Sequence, residues 1–130
     1  LIKPQPNRSV VSWLQSQTEN DLYLSVLTFG EIEKGIEKAA NEARKSKLKL
    51  WVEEDLKQRF KGRILAIDLD VCTKWGEIQA RTELLGKPVP SIDGLIAISA
   101  LVNNCIMVTR NVKDMQQSGV ELFNPWEDEF

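Results

Sequence analysis

Histidine is absent from the 130 residues of the chain. Without an imidazole there is no Ser-His-Asp triad, no Cys-His dyad and no histidine-ligated zinc or haem. An enzyme built from this sequence would therefore depend on carboxylates with a hard metal ion, or on lysine.

Cysteine and long apolar runs are scarce as well. The 2 cysteines, Cys72 and Cys105, lie far apart in apolar contexts, so we expect small buried thiols rather than a metal site. No apolar run approaches the ~18–20 residues that span a bilayer, and no signal-peptide pattern opens the chain. We therefore expect a single domain over residues 1–130 that is cytoplasmic and has no membrane partner.

Neither sign of charge dominates. With 17 basic and 19 acidic residues the net charge is −2, so a nucleic-acid footprint would have to be local. Basic residues concentrate in the middle of the chain, but interleaved glutamates favour a solvated helix face there. These basic residues are Lys34, Lys38, Arg44, Lys45, Lys47, Lys49, Lys57, Arg59, Lys61 and Arg63.

The apolar periodicity predicts helices that alternate with strands. Such an order is typical of an α/β three-layer sandwich, a mostly parallel central sheet flanked by helices. The fourth helix should carry Cys72, Trp75, Ile78, Gln79, Thr82 and Leu85 on its inner face. Helices are predicted over 7–17, 28–39, 41–60, from about 69 to 85 and over 91–103, and strands over 21–26, 63–68, 105–109 and 120–124, with a loop over 110–119.

Acidic side chains stand near the carboxyl ends of the predicted strands, where ligands gather in an open parallel sheet. Glu31 comes after the first strand, Asp93 opens an apolar helix, and Asp114 follows the third strand with Thr109 and Asn111. Carboxylates at one edge repel each other unless a cation lies among them, and Mg²⁺ and Mn²⁺ take oxygen ligands. The pattern predicts that Glu31, Asp93 and Asp114 converge on such an ion.

Each acid also has a structural explanation. Glu31 stands three residues after Thr28, as in a capping box. Asp93 would gain about 0.3–1 kcal/mol from the dipole of its helix, and Asp114 could close a turn. Their joint placement at one sheet edge favours the metal site.

Four segments resemble the PIN-domain family, specifically its VapC-type toxins of bacterial toxin–antitoxin pairs. They are "SVLTFGEIEKGI", "PSIDGLIAISAL", "VTRNVKDM" and "ELFNPW", in this order over nearly the whole chain. The resemblance implies a PIN-like sandwich and an acidic quartet that binds Mg²⁺ or Mn²⁺ and cleaves RNA.

The same resemblance implies a role for each site residue. Glu31 matches the second acid and Asp93 the third, while Asn111 and Asp114 match the element that supplies the fourth. Thr109 matches a hydroxyl that orients the cluster. Arg110 and Lys113, which flank the acidic loop, are candidates for contact with substrate phosphate.

The sequence departs from the family at its start. The family's first strand carries the first metal-binding aspartate and lies in the middle of the sheet, whereas this chain opens with "LIKPQPN". Either the protein begins upstream, which we favour, or a partner completes its sheet. The competing hypothesis is a degenerate, non-catalytic PIN-like module that only dimerises or binds an antitoxin.

The family's toxins usually form homodimers and are held inactive by an antitoxin. We therefore expect three partners: RNA, a cognate antitoxin and a second copy of the chain. Large apolar groups in the first helices exceed what short amphipathic helices need, which indicates that part of this surface is covered by another chain. These groups are Val10, Trp13, Leu14, Ile36 and Trp51.

Overall fold

The computed structural model describes residues 8–126, so the predicted helix cap Asn7 lies outside the described residues. Helices alternate with short strands, as predicted. The helices are α1 Arg8–Ser16, α2 Val26–Glu37, α3 Glu42–Trp51, α4 Lys57–Arg59, α5 Leu69–Leu84, α6 Ser91–Val102 and α7 Val112–Met115. The strands are β1 Leu24–Ser25, β2 Ile64–Leu65, β3 Met107–Val108 and β4 Leu122–Phe123.

Side-chain hydrogen bonds cap the starts of two of the helices. The Asn41 Oδ1 atom accepts a hydrogen bond from the Arg44 amide at 3.0 Å and caps α3. Asp68 caps α5 in the same way, through the Val71 amide at 3.0 Å. Each such cap satisfies one of the amides that a helix start leaves without a partner.

A π-helical turn, Val52–Leu56, joins α3 to α4, so the helical segment predicted over 41–60 runs without a break. Val52, Leu56 and Phe60 are buried along it. Gly62, with a φ of 82°, turns the chain away from this segment and into β2.

The strands form two separate parallel pairs. Leu24 pairs with Ile64 in the first, and Met107 pairs with Leu122 in the second. The predicted class, an α/β fold with parallel strands, is confirmed. Within residues 8–126, however, each strand has a neighbour on one side only.

A cavity of about 1060 Å³ is lined by residues of both sheets and of α1. Leu24 and Ser25 line it from the first sheet, and Met107 and Val108 line it from the second. Trp13 of α1 also lines the cavity and stacks at a tilt on Phe123, with 5.4 Å between the ring centroids.

Helix α6 lies at the centre of the core. Its Ala97 and Ala100 pack in one buried cluster, and its Ile98 packs in a second with Val71 and Ile78 of α5. A helix that is buried on several sides reads as an almost continuous apolar run, which explains the sequence of α6. The first cluster comprises Val89, Ala97, Ala100, Met107, Met115 and Val120.

Three expectations about burial and loops are wrong. Cys72 is exposed, because the inner stripe of α5 runs through Val71, Ile78 and Thr82, and Cys105, which follows α6, is only partly buried. Leu85 lies beyond the end of α5 and is exposed. The predicted loop 110–119 contains α7 and a 3-10 turn. In the described part of the chain, no helix is both long and apolar enough to cross a membrane.

Candidate functional site

Asp93 lies in the first turn of α6. Pro90 precedes this helix in an extended conformation, and its carbonyl accepts a hydrogen bond from the Gly94 amide at 2.7 Å. The side chain of Asp93 is half-buried. The amides of the first turn and the helix dipole both favour a negative charge at this position.

Thr109 shapes the turn that follows β3. Its amide donates to the Phe123 carbonyl at 3.0 Å, and its hydroxyl accepts from the Asn111 amide at 3.0 Å. The two bonds join the turn to β4 and fix the position of Asn111 ahead of α7. Both Thr109 and Asn111 are half-buried.

Asp114 projects from α7 and is exposed. This helix forms because Met115 is completely buried in the core cluster around α6, which holds the segment in place although it shows no helical periodicity. Asp114 therefore lies in a helix packed on α6 and does not close a turn.

Glu31 lies in α2 and is exposed. The helix is capped by Ser25, whose hydroxyl accepts from the Leu27 amide at 3.1 Å. Thr28 consequently lies inside the helix, and the capping-box explanation of Glu31 is wrong. Since α2 also packs on α6, Glu31 and Asp93 stand on neighbouring helices.

The structure does not bring these carboxylates together as a metal-binding group. Across residues 8–126, no three Asp, Glu, His or Cys side chains are close enough to hold a metal ion. The oxygen donors of Glu31, Asp93 and Asp114 suit Mg²⁺ or Mn²⁺ chemically, but they do not form a complete ligand set in this geometry. The fold does place the three acids on helices that pack together, because α6, which bears Asp93, contacts both α2 and α7.

Half of the ten basic residues in the middle of the chain pair with glutamates, namely Lys45, Lys49, Lys57, Arg59 and Arg63. Lys49 Nζ lies 2.6 Å from the Glu37 carboxylate, and this hydrogen bond holds the pKa of Glu37 below its ordinary value. Lys57 pairs with Glu53 at 2.5 Å, and Arg59 pairs with Glu19. The pairs support the prediction of a solvated helix face rather than an RNA-binding surface.

Arg110 is positioned by a contact that sequence reasoning missed. Its guanidinium carbon lies 5.6 Å from the centroid of the Trp126 ring, within the range of a cation–π interaction. The Trp126 amide in turn donates to Asn124 Oδ1 at 2.9 Å. The asparagine and the tryptophan of the "NPW" segment are the residues that form this turn. The Trp126 ring fixes the position of the Arg110 side chain beside the turn built by Thr109. Lys113 is exposed in α7.

Comparison with known proteins places this arrangement in a family. Residues 1–117 match the PIN domain. Toxin FitB of Neisseria gonorrhoeae is 34% identical over 127 residues, which cover 98% of this chain and 91% of that protein. The VapC ribonuclease Y4jK of Sinorhizobium fredii is 29% identical over 127 residues, with the same coverage, 98% and 91%.

Solved structures agree with this placement. The crystal structure of FitAcB from N. gonorrhoeae superposes with a TM-score of 0.93 at 33% identity, covering 98% of this chain and 91% of that one. DNA-bound VapBC from Salmonella typhimurium superposes with a TM-score of 0.77 at 25% identity, covering 95% and 89%.

The fold and these relatives together define an α/β domain of the class found in toxin–antitoxin complexes. The chain belongs to the PIN-domain family. The predicted resemblance to the family's VapC-type toxins is confirmed.

Proposed function

We propose that the protein is a Mg²⁺- or Mn²⁺-dependent endoribonuclease and the toxin of a type II toxin–antitoxin pair. Membership of the PIN-domain family and a relative named VapC ribonuclease support this function. The observation that carries it is the position of Asp93 in the first turn of α6, the helix that contacts both α2, which bears Glu31, and α7, which bears Asp114.

Each site residue has a role in the proposed function. Glu31, Asp93 and Asp114 would hold the metal ion, and the turn built by Thr109 would present the Asn111 side chain to it. A bound metal ion of this kind activates water and offsets negative charge on a phosphate. Arg110, held by the Trp126 ring, and the exposed Lys113 would contact the phosphates of the RNA.

We propose that a further carboxylate completes the ligand set. The cavity is lined by both sheets, and each of their strands is paired on one side only, so an extra parallel strand could pair with a free edge of each sheet. A strand supplied from outside the described residues, bearing the family's first aspartate, would join the two pairs into one sheet. The non-catalytic alternative would apply to a protein that lacks such a strand.

We propose an antitoxin and a second copy of the chain as partners. Toxin–antitoxin complexes among the similar structures support the first. Among the five apolar residues predicted to form a covered surface, Val10 and Ile36 are buried, whereas Trp13, Leu14 and Trp51 are partly exposed. Other large apolar side chains are more exposed, namely Leu50, Leu69, Leu84 and Leu85.

Replacing Asp93 by Asn tests the proposed function. We expect Asp93→Asn in the full-length protein to lower Mn²⁺-dependent RNA cleavage by a factor of about 100 or more, because a neutral amide is a poor ligand for a hard cation. Cleavage of a labelled RNA in Mn²⁺ and in chelator measures this, and thermal unfolding checks that the variant folds.

Asp70→Asn is the matched control. Asp70, like Asp93, is an aspartate in the first turn of a helix, but that helix is α5 and Asp70 is exposed. We expect Asp70→Asn to lower the free energy of unfolding by a small amount, similar to that of Asp93→Asn, and to leave RNA cleavage unchanged. Full activity in the Asp93→Asn variant would refute the assignment, and a wild-type protein without any metal-dependent cleavage would favour the non-catalytic module.

A further inference from the structure

The approach to α6 is tied to α5 by a side-chain hydrogen bond. Gln79 of α5 donates from Nε2 to the Val89 carbonyl at 2.9 Å. Val89 is buried and precedes Pro90, the residue from which α6 starts. The bond therefore acts on the backbone four residues before Asp93.

A second bond ties the same connecting segment to α5. The Lys87 amide donates to the Thr82 carbonyl at 2.9 Å. Pro88 lies between the two tied residues and restricts the backbone further, since its ring fixes φ. Because Lys87 and Val89 are both bonded to α5, the segment between them fixes the position of the start of α6 relative to α5.

Gly94 lets the first turn of α6 come close to this anchor. A Cβ atom added there would lie 3.3 Å from Val89 Cγ1, 3.5 Å from Trp75 Nε1 and 3.7 Å from Gln79 Oε1. The contact with Val89 is tight enough that a methyl group would displace one of the two partners by a few tenths of an ångström. The residue beside Asp93 is thus packed against the same side chains that hold the segment.

We propose that Gln79 is a positioning residue for Asp93, acting through the Val89 carbonyl and the close contact at Gly94. Gln79 does not touch the reacting groups; it fixes where the first turn of α6 stands and so where the Asp93 carboxylate meets a metal ion. The proposal rests on the proposed function of Asp93 as a metal ligand. Groups that hydrogen-bond a metal ligand directly are commonly worth 10–100-fold in metal affinity or activity, and Gln79 acts one contact further out, through the backbone.

The test compares Gln79→Leu with Thr82→Val in the full-length protein. Thr82 is a matched control, because it is buried on the same helix and its hydroxyl donates within that helix, to the Gln79 carbonyl at 3.1 Å, and not to the segment before α6. We expect Gln79→Leu to weaken Mn²⁺ binding by about 10-fold or more and to lower kcat with little change in KM for RNA. Thr82→Val should change neither. Mn²⁺-induced broadening of the Gly94 amide signal in NMR spectra measures the binding.

A pair of further variants separates positioning from stability. Gly94→Ala should weaken Mn²⁺ binding, and adding Val89→Ala should restore part of it, because the second change removes the crowded Cγ1 atom. Equal losses of Mn²⁺ affinity in Gln79→Leu and Thr82→Val would overturn the proposal.

Failure of the proposed function can be distinguished from failure of the positioning role of Gln79. If the wild type binds no Mn²⁺, Asp93 is not a metal ligand, and hydrogen exchange at the Gly94 amide then tests the positioning itself. That amide should exchange faster in Gln79→Leu than in Thr82→Val at matched global stability; equal rates would overturn the positioning as well.

Discussion

Glu19 joins two parts of the chain that are distant in sequence. Its carboxylate accepts a hydrogen bond from Arg59, and Arg63 donates to the backbone carbonyls of Glu19 and, at 2.8 Å, of Leu22. The bond from Arg59 is the main reason that the pKa of the Glu19 carboxyl lies below its usual 4.5. At the scale of single residues, this cluster holds the segment before β1 on the end of α4.

The lowered pKa predicts a pH-dependent contribution of Glu19 to stability. A carboxyl whose pKa is lower when folded stabilises the protein above its unfolded pKa, and this stabilisation is lost as the pH falls through the folded value. We expect Glu19→Gln to melt a little below the wild type at neutral pH, and the gap in Tm to close as the solution is acidified below about pH 4.

Thermal melts of both proteins at a series of pH values check this prediction. Added salt should narrow the gap at neutral pH, because an exposed pair is screened. A gap that persists once Glu19 is protonated would show that the carboxylate charge is not its cause.

At the scale of elements, α2 begins without a connecting loop after β1. Ser25 is the last residue of the strand and the cap of the helix, and its side chain is buried. One hydroxyl thereby fixes the direction of the helix that carries Glu31.

Removing this cap should destabilise the protein. We expect Ser25→Ala to lower the free energy of unfolding by about 1 kcal/mol, the usual worth of a serine cap. Ser46→Ala is the control, because Ser46 lies exposed in the interior of α3, where alanine is the better helix former. Urea denaturation of both variants measures the difference. A Ser25→Ala variant as stable as Ser46→Ala would mean that the bond contributes nothing.

Helices were more predictable from this sequence than strands. The helix starts at Asn41 and near Asp68 follow from local chemistry, and the apolar run of α6 predicts its burial. The strand predicted over 21–26 shrinks to Leu24–Ser25, because Val26 enters a helix and the length of a strand depends on its partners. Helix α7 is stabilised by the burial of Met115, and no local sequence pattern predicts that this residue is buried.

The sequence offers candidate site residues but does not determine their geometry. Residue types and their place after strands single out Glu31, Asp93 and Asp114. Whether their carboxylates meet depends on how α2 and α7 are oriented on α6, and on neighbours outside the described residues. Neither quantity is encoded in a short segment of sequence.

At the scale of the whole molecule, the divided sheet leaves backbone groups facing the cavity. The amides of Leu24 and Met107 donate to the partner strands, to Arg63 and Glu121. Because successive residues of a strand point to opposite sides, the amides of Ser25 and Val108 point away from those partners.

Hydrogen exchange should reveal this alternation. We expect the Ser25 and Val108 amides to exchange about 10-fold faster or more than those of Leu24 and Met107, since the latter are protected by strand pairing. NMR-detected hydrogen exchange measures the four rates. Equal protection at all four positions would show that another segment or chain already covers the free edges.

The π-helical turn between α3 and α4 has a consequence for the phase of the helical surface. Leu48, Val52, Leu56 and Phe60 recur every four residues, and an α-helix advances about 100° per residue, so each step of four overshoots a full turn by about 40°. Over three steps an ideal helix would rotate the last side chain about 120° away from the first. A π turn takes more residues per revolution, so the wider turn at Val52–Leu56 counters this drift. It acts as a phase correction that keeps Val52, Leu56 and Phe60 pointing into the protein along one helical path.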